Sequence, residues 1–371
     1  MNVILPTESS ILYSPYTWHR DGAVMTAYNS GSYFKFMTNA LVTGNKTLTL
    51  HFNTAEVIAA LPPVVAYRIG QYNWVFSPLQ SSVVMTLPPG DATTLDPVMG
   101  RQGWHFIEVW VRTVPPEINK WGAGPCRVSL TGIEIDNSAR LFPISAYPLK
   151  VCIYGDSITE GYGALDLENN GYKSNNAMMS YAYNVMQALG CEAGIVGYSG
   201  QGFTKQPDNG AVPNFTQTYD YLQPGINRTL TDCDLVLINM GTNDYAASKA
   251  TFVSTVTPII QNLLDMAPKA LILAMTPFNQ THAESWRTII GNLSHPRVRL
   301  IDTSGFYLME AMANVLHPSG SAVMGNIAPK LNAAIMTAWG QFKYGGGTGR
   351  RAVLRPVADT GAIPVLQTMK L

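Results

Sequence analysis

Polar and apolar residues alternate along several short segments in the first 145 residues of the chain. Residues 47–53, TLTLHFN, and residues 104–112, WHFIEVWVR, show this alternation, which is typical of a strand with one buried face. Residues 127–135 show it again, and Gly, Pro, Asn and Asp separate the segments. The pattern therefore predicts an all-β, jelly-roll-like sandwich over residues 1–146.

From about residue 147 the pattern changes to short apolar segments with helical spacing between them. Residues 177–189 and 252–266 have apolar side chains at helical intervals. The apolar segments are 149–154, 193–198, 234–240, 270–275 and 298–302. This alternation predicts a parallel sheet covered by helices on both faces over residues 147–343. Functional residues then belong at the carboxyl ends of its strands.

The Gly-rich stretch that begins at residue 344 opens a C-terminal tail, residues 344–371, which is too short to form a domain. Its composition is that of a flexible linker followed by a chain end. Two interpretations stay open for this tail. It pairs as a strand with another part of the protein, or it is a disordered end.

The composition narrows the possible partners. The chain has 371 residues, 24 basic and 24 acidic side chains, and only 13% charged residues, about half of the usual share. Without a basic cluster, this neutral balance argues against a nucleic-acid partner. No apolar run reaches the roughly 18 residues of a membrane helix, and residues 1–10 lack the pattern of a signal peptide. We therefore expect a soluble protein without membrane insertion.

The cysteines give no sign of a metal centre. The four cysteines are scattered, and no cluster in the sequence has metal-ligand spacing. Cys152 and Cys233 lie in or beside apolar segments, so buried free thiols are the favoured interpretation. A disulfide is the alternative.

Four polar motifs, each after a predicted element, carry the candidate chemistry. They are GDSITEG at 155–161, YSGQG at 198–202, GTND at 241–244 and NVLHP at 314–318. A turn at a helix start would expose the Ser157 hydroxyl and offer a backbone N–H to an oxyanion. Gly200 lets the backbone approach a ligand, Asn243 has an amide donor, and His317 is a natural base. Each motif alone is also explained by a helix cap, a turn or a loop.

The order Ser, Gly, Asn, His over residues 148–342 resembles the SGNH (GDSL-like) hydrolase superfamily. This resemblance implies a flavodoxin-like three-layer α/β/α domain and ester hydrolysis without a cofactor. It also implies that Ser157 is the nucleophile and His317 the base. Gly200 and Asn243, with the backbone N–H of Ser157, would form the oxyanion hole.

A narrower resemblance concerns the arrangement of the two predicted domains. A β-sandwich ahead of an SGNH domain, and the motif GDSIT followed by GYG at 161–163, are similar to the two-domain carbohydrate esterases of family 2. That resemblance implies an acetyl esterase with an acetylated polysaccharide or other carbohydrate as substrate, in an extracellular or periplasmic setting. It also makes the sandwich a candidate for carbohydrate contact. Tyr162 and Trp286 are candidate substrate-binding residues, because sugar rings pack on aromatic side chains.

The sequence departs from the superfamily three residues before the histidine, where Asn314 replaces the usual Asp. Asn accepts a hydrogen bond from the imidazole but carries no charge. Three interpretations follow: an Asn-assisted triad, a Ser–His dyad oriented by a backbone carbonyl, or a mutated or non-catalytic relative. We favour an active dyad or Asn-assisted triad, because Ser157, Gly200, Asn243 and His317 are all present.

Two other functions are compatible with the same fold. One is a lipase or thioesterase acting on a small acyl ester. The other is a carbohydrate-binding protein with a vestigial SGNH domain. Turnover of an activated acetyl ester separates an enzyme from a binding protein, and acyl chain length separates the two kinds of enzyme.

Overall fold

The computed structural model describes residues 1–39, 47–87, 104–122, 126–165, 171–306 and 316–345. Apart from residues 344 and 345, the predicted C-terminal tail lies outside these residues. The limits of the predicted domains stay predictions. The fold class is confirmed, because an antiparallel β-rich region precedes a parallel sheet with helices.

Twelve strands of the β-rich region form two antiparallel sheets. In chain order they are β1 (Asn2–Ile4), β2 (Leu12–Tyr13), β3 (Trp18–Asp21), β4 (Val24–Ala27), β5 (Tyr33–Asn39), β6 (Thr47–Asn53), β7 (Val64–Ile69), β8 (Val75–Pro78), β9 (Ser82–Thr86), β10 (Trp104–Thr113), β11 (Val128–Ile135) and β12 (Leu141–Phe142). One sheet has the order β3-β4-β11-β6-β9 with β1 beside β11, and the other has β12-β5-β10-β7-β8 with β2 beside β5. The three strands predicted from alternation are confirmed as β6, β10 and β11. Leu48, Leu50 and Phe52 of β6 are buried in the core of the sandwich, as the alternation predicts.

The second half of the chain contains a five-stranded parallel sheet and a small hairpin. Its strands are β13 (Lys150–Gly155), β14 (Glu192–Gly197), β15 (Tyr221–Gln223), β16 (Ile226–Asn227), β17 (Leu235–Asn239), β18 (Leu271–Met275) and β19 (Val298–Ile301). The parallel sheet has the order β14-β13-β17-β18-β19, and β15 pairs with β16. All five apolar segments therefore form the parallel strands that the sequence predicts.

Four helices of at least nine residues cover this sheet. They are α1 (Tyr181–Leu189), α2 (Lys249–Met266), α3 (Ala283–Leu293) and α4 (Ala328–Tyr344). Short helical segments are Gly171–Ser174, Ala177–Met179, Phe215–Gln217, Thr242–Asp244, Gly320–Ala322 and the π-helical Val323–Ile327. The predicted helix over 177–189 is interrupted at Ser180, which is extended and caps α1 by accepting from the Tyr183 N–H.

Alternate side chains of β13 pack into two different apolar layers. Val151 and Ile153 pack with residues of α1 and α4, whereas Cys152 and Tyr154 pack with residues of α2 and α3. Both faces of the sheet are therefore covered, which gives the α/β/α layering. All four cysteines are buried and free, in agreement with the favoured interpretation for Cys152 and Cys233.

The β-rich region shares buried contacts with the parallel sheet. Tyr33 and Trp110, from adjacent strands β5 and β10, belong to the same apolar cluster as β13 and α1. The Tyr33 hydroxyl donates to the buried carboxylate of Glu192 on β14, which also lies 3.6 Å from Lys35 Nζ. These contacts tie the sandwich to the edge strand of the parallel sheet.

Two searches over the described ranges bear on membranes and metals. No helix there is long and apolar enough to cross a membrane. No group of three or more His, Cys, Asp or Glu side chains there is placed to hold a metal ion.

The Trp110→Ala variant tests the shared core. The indole is buried and lies 5.1 Å from the Tyr183 ring, so we expect the free energy of unfolding to fall by about 3–5 kcal/mol. Guanidinium titration followed by circular dichroism measures this change. Tyr72→Ala is the control, because that ring is 58% exposed and its loss should change stability by less than about 0.5 kcal/mol. Equal stability of the two variants would contradict the proposed packing.

Candidate active site

The carboxyl ends of three neighbouring parallel strands are aligned in register. Gly155 at the end of β13 pairs with Gly197 of β14 on one side and with Asn239 of β17 on the other. Each predicted functional residue lies a few residues beyond one of these aligned positions. Ser157 lies two residues after the end of β13, Gly200 three after the end of β14, and Asn243 four after the end of β17. The sheet register thus places the three predicted functional residues at the same edge.

The turn that carries Ser157 is held by the preceding residue, Asp156. The Asp156 carbonyl accepts from the N–H groups of Thr159 and Glu160 at 3.1 and 3.2 Å, and its carboxylate accepts from the Ile158 N–H at 3.0 Å. A Cβ on Gly155 would lie 1.8 Å from Thr159 Oγ1, so the strand must end in glycine. Residues 157–165 form turns, so the predicted helix start at Ser157 is wrong and Asp156 stabilises a turn. The Ser157 hydroxyl makes no bond within this turn and has another partner.

That partner is His317, whose Nε2 lies 2.8 Å from Ser157 Oγ. The segment that carries the imidazole is held close to the nucleophile turn, because the Gly320 N–H donates to the Ala164 carbonyl at 2.9 Å. A Cβ on Gly320 would lie 2.2 Å from Met179 Cε and 3.1 Å from the Ala164 carbonyl oxygen, so the absence of a side chain at Gly320 eases this approach. The hydrogen bond spans 160 residues of sequence.

Burial lowers the pKa of His317 to about 4. The imidazole is therefore neutral near pH 7 and is able to accept a proton from a hydroxyl. Burial has the opposite effect on the carboxyl of Asp156 and raises its pKa to about 7, assisted by the nearby charges of Glu160 and Asp244. The predicted role of Asn314 stays a prediction, because this residue lies outside the described residues.

Gly200 and Asn243 lie beside the nucleophile turn. Gly200 has a φ of +75°, in the left-handed region that glycine adopts readily. Asn243 Nδ2 donates to the Gln201 carbonyl at 2.9 Å and lies 3.5 Å from an oxygen of Asp156. The backbone N–H groups of Ser157 and Gly200 donate no hydrogen bond to another described residue. These donors are therefore free to bind a reacting group.

Asp244 fixes the loop that follows Gly200. Its buried carboxylate accepts from the Phe203 N–H at 2.9 Å and from the Thr204 N–H and hydroxyl at 2.7 and 2.6 Å. A Cβ on Gly202 would lie 2.6 Å from this carboxylate. Asp244 therefore has a structural role, since it joins the loops that follow β14 and β17.

The two predicted substrate-binding aromatics have different positions. The half-buried ring of Tyr162 lies 4.6 Å from the His317 ring, between centroids, so its predicted contact with substrate stays a prediction. The prediction for Trp286 is wrong. Its side chain is 0% exposed and its Nε1 donates to the Met240 carbonyl at 3.1 Å. Trp286 lies on the face of α3 that packs on the sheet, a position that its spacing from Ala283 and Ile289 indicates.

Glu160 and Lys120 were not predicted as functional residues, and the structure brings them together beside the site. Their side chains form a buried ion pair with 3.1 Å between Lys120 Nζ and Glu160 Oε2. An acidic residue inside the nucleophile motif was a possible signal for Glu160. Lys120 had none, because it belongs to the predicted sandwich and only the three-dimensional packing brings it to the site.

Comparison with known proteins agrees with this geometry. The GDSL-like Lipase/Acylhydrolase family matches residues 153–319, a range that includes Ser157, Gly200, Asn243 and His317. The chain is similar to a solved family two carbohydrate esterase from Cellvibrio japonicus, with a TM-score of 0.73 and 17% identity. That likeness covers 91% of this chain and 98% of the other.

Two curated relatives are similar in sequence. The cellulase/esterase CelE of Acetivibrio thermocellus is 26% identical over 56% of this chain and 26% of its own length. The acetylxylan esterase / glucomannan deacetylase of Cellvibrio japonicus is 27% identical over 43% of this chain and 47% of its own length. The chain thus spans about a quarter and about half of these relatives. The predicted resemblance is confirmed, since residues 153–319 match the GDSL-like Lipase/Acylhydrolase family.

Proposed function

We propose that this protein is a serine esterase that removes O-acetyl groups from a polysaccharide or other carbohydrate through an acyl-enzyme. The observation that carries the proposal is the 2.8 Å contact between Ser157 Oγ and His317 Nε2, at the sheet edge that also holds Gly200 and Asn243. The relatives named as acetylxylan esterase, glucomannan deacetylase and family two carbohydrate esterase support the acetyl group and the carbohydrate.

The first half of the reaction transfers the acetyl group to Ser157. His317 Nε2 takes the hydroxyl proton while Oγ attacks the ester carbonyl, and the carbonyl electron pair moves to oxygen. The oxyanion returns its electrons, the bond to the sugar oxygen breaks, and the imidazolium gives its proton to that oxygen. The products of this half are a free sugar hydroxyl and an acetylated Ser157.

The second half repeats these steps with water. His317 takes a proton from water, the hydroxide attacks the acetyl carbonyl, and the bond to Ser157 Oγ breaks. The imidazolium returns a proton to Oγ, and acetic acid leaves as acetate. The neutral state that burial imposes on His317 near pH 7 suits the base that both halves require.

Three donors would hold the oxyanion in each half. The backbone N–H groups of Ser157 and Gly200 are free to donate, and the Asn243 amide has two hydrogens. One of these hydrogens is used by the Gln201 carbonyl. The 3.5 Å contact with Asp156 is at the outer limit of a hydrogen bond, which leaves the second hydrogen for the oxyanion. Each donor is typically worth about 3 kcal/mol of barrier.

Substrate contact is proposed for Tyr162, whose half-buried ring lies against His317. An aromatic ring beside the base can pack on the sugar that carries the acetyl group. The partner is therefore an acetylated carbohydrate. The extracellular or periplasmic location implied by the family stays a prediction.

The Ser157→Ala variant tests the nucleophile. Loss of Oγ removes the acyl-enzyme, so kcat/KM for p-nitrophenyl acetate should fall by at least about 1000-fold. Release of p-nitrophenol measures the rate. Ser129→Ala is the matched control, because its buried hydroxyl lies on β11 and bonds to Thr26 within the sandwich. The nucleophile assignment fails if both variants retain the rate of the wild type.

The acid limb of the pH profile tests the state of His317. Below its pKa the imidazole is protonated and cannot accept a proton. Because that pKa is lowered to about 4, kcat/KM for phenyl acetate should stay high from pH 7 to about pH 5 and then fall through about pH 4. Acetate release at each pH measures the rate, with circular dichroism to confirm folding.

The control for this profile is Asp156→Asn, since the Asp156 carboxyl is the neighbouring group with a raised pKa. Asn keeps an oxygen that can accept from the Ile158 N–H and removes the titration, so the acid limb should not move. An apparent pKa near the ordinary His value of about 6.5 in the wild type would contradict the buried, neutral imidazole.

Acyl chain length separates the proposed deacetylase from a lipase or thioesterase. For a site that fits an acetyl group, kcat/KM should fall by about tenfold or more from p-nitrophenyl acetate to the octanoate, because a longer chain has no room. Parallel measurements on the acetate, butyrate and octanoate give this ratio. A rate that rises with chain length would favour the lipase interpretation.

A further inference from the structure

A buried ion pair connects the sandwich to the nucleophile turn. Lys120 follows β10 in the chain, and its Nζ lies 3.1 Å from Glu160 Oε2. The two side chains are only 2% and 1% exposed. A lysine and a glutamate are rarely buried so completely, so the pair requires a physical explanation.

The second oxygen of the Glu160 carboxylate binds a different loop. The Ser199 hydroxyl donates to Glu160 Oε1, and Ser199 directly precedes Gly200. Glu160 itself lies three residues after Ser157, on the turn held by the Asp156 carbonyl. One carboxylate therefore joins the nucleophile turn to the loop that presents the Gly200 N–H.

The backbone of Lys120 is fixed from both sides. Its N–H donates to the Ala211 carbonyl at 2.9 Å, and its carbonyl accepts from Gln223 Nε2 at 2.8 Å. Its ammonium also lies 5.7 Å from the centre of the ring of Tyr198, the residue that precedes Ser199. The lysine thus reaches the Glu160 carboxylate from a segment that is already anchored on the second half of the chain.

Stability alone does not explain such a pair. Removing two charges from water costs several kcal/mol for each ion, and a well-packed apolar pair is often as stable or more so. A charged carboxylate does have one property that an apolar side chain lacks, because it accepts a strong hydrogen bond with a defined direction. Here that bond reaches Ser199.

We propose that Lys120 and Glu160 are positioning residues that hold Ser199, and with it the Gly200 N–H, at the place where the oxyanion develops beside Ser157. This inference rests on the proposed esterase function. It makes the sandwich a contributor to the catalytic geometry, because Lys120 comes from the predicted sandwich rather than from the parallel-sheet half.

The kinetic consequence is specific. The oxyanion exists only in the transition state and the tetrahedral intermediate, so misplacing one of its donors should lower kcat and leave KM little changed. Complete loss of a donor typically costs about 100- to 1000-fold in kcat. A donor that is displaced but still present should cost less, about 10- to 100-fold.

Ser199→Ala is the first variant to test. It removes the hydrogen bond to Glu160 and leaves the ion pair between Lys120 and Glu160 intact. Relative to the wild type, kcat for p-nitrophenyl acetate should fall by about tenfold or more, with KM within about twofold. Ser199→Thr keeps a hydroxyl and should restore kcat to within about threefold of the wild type. Ser129→Ala, whose hydroxyl bonds to Thr26, should change neither constant.

The double variant Lys120→Met/Glu160→Gln tests the ion pair itself. Both charges leave together, so no buried ion is stranded, and its kcat should also fall by about tenfold with KM within about twofold. Active-site titration with a fluorophosphonate corrects each kcat for the fraction of folded enzyme. This double variant decides the question if Ser199→Ala does not fold.

Two results would overturn the inference. In the first, the wild type turns over but Ser199→Ala, or the double variant, keeps kcat within about twofold after correction for active sites. In the second, Ser199→Thr is as slow as Ser199→Ala. Failure of the proposed function has a different signature, since wild type and Ser157→Ala would then release p-nitrophenol at the same rate.

Discussion

The hydrogen bond from Ser157 Oγ to His317 Nε2 depends on two segments that are far apart in the sequence. One is the turn after β13, and the other is the segment that leads into the C-terminal helix α4. A 2.8 Å separation allows proton transfer only if neither segment drifts by more than a fraction of an ångström. Much of the structure around the site can be understood as satisfying this constraint.

Close backbone packing satisfies a large part of that constraint. A Cβ on Gly161 would lie 2.2 Å from the Asn176 carbonyl oxygen, and one on Gly197 would lie 2.9 Å from the Glu160 nitrogen. A Cβ on Gly320 would lie 3.1 Å from the Ala164 carbonyl oxygen. These glycines let backbone segments approach more closely than a residue with a side chain would. The nucleophile turn, the end of β14 and the segment after His317 are thereby packed against one another. Contacts to backbone atoms therefore hold these segments around the site.

The electrostatics of the site follow from the same packing. Burial keeps the His317 imidazole neutral near pH 7 and raises the pKa of the Asp156 carboxyl. Ser157 is also buried, and hydrogen bonds to a developing charge are stronger where water is excluded.

The sequence predicted the parallel sheet and the position of its functional edge well. The five apolar segments form strands, since a buried parallel strand leaves a strong local signal, and the motifs of Ser157, Gly200 and Asn243 follow three neighbouring strands. Local patterns were not sufficient to predict which side chains face the substrate. Trp286 was predicted at the substrate, but its position on the buried face of α3 depends on how that helix packs.

Contacts between residues far apart in the sequence could not be predicted, because they leave no local pattern. Lys120 belongs to the predicted sandwich and has no motif around it, yet it pairs with Glu160 in the nucleophile motif. Two charged residues 40 positions apart give no local pattern, since only the docking of the sandwich on the parallel-sheet half brings them together.

The helix break at Ser180 was not predicted for a different reason. A serine is compatible with both a helix interior and a helix cap, so the sequence does not distinguish the two.

If Ser157 carries the acetyl group during turnover, the acetylated enzyme can be trapped. The protein is mixed with p-nitrophenyl acetate, quenched in acid within milliseconds and digested, and mass spectrometry locates the acetyl group. We expect a burst of p-nitrophenol close to one equivalent per folded protein, with the acetyl group on Ser157. An acetyl group on another residue would rule out Ser157 as the nucleophile. So would a Ser157→Ala variant that releases p-nitrophenol as fast as the wild type.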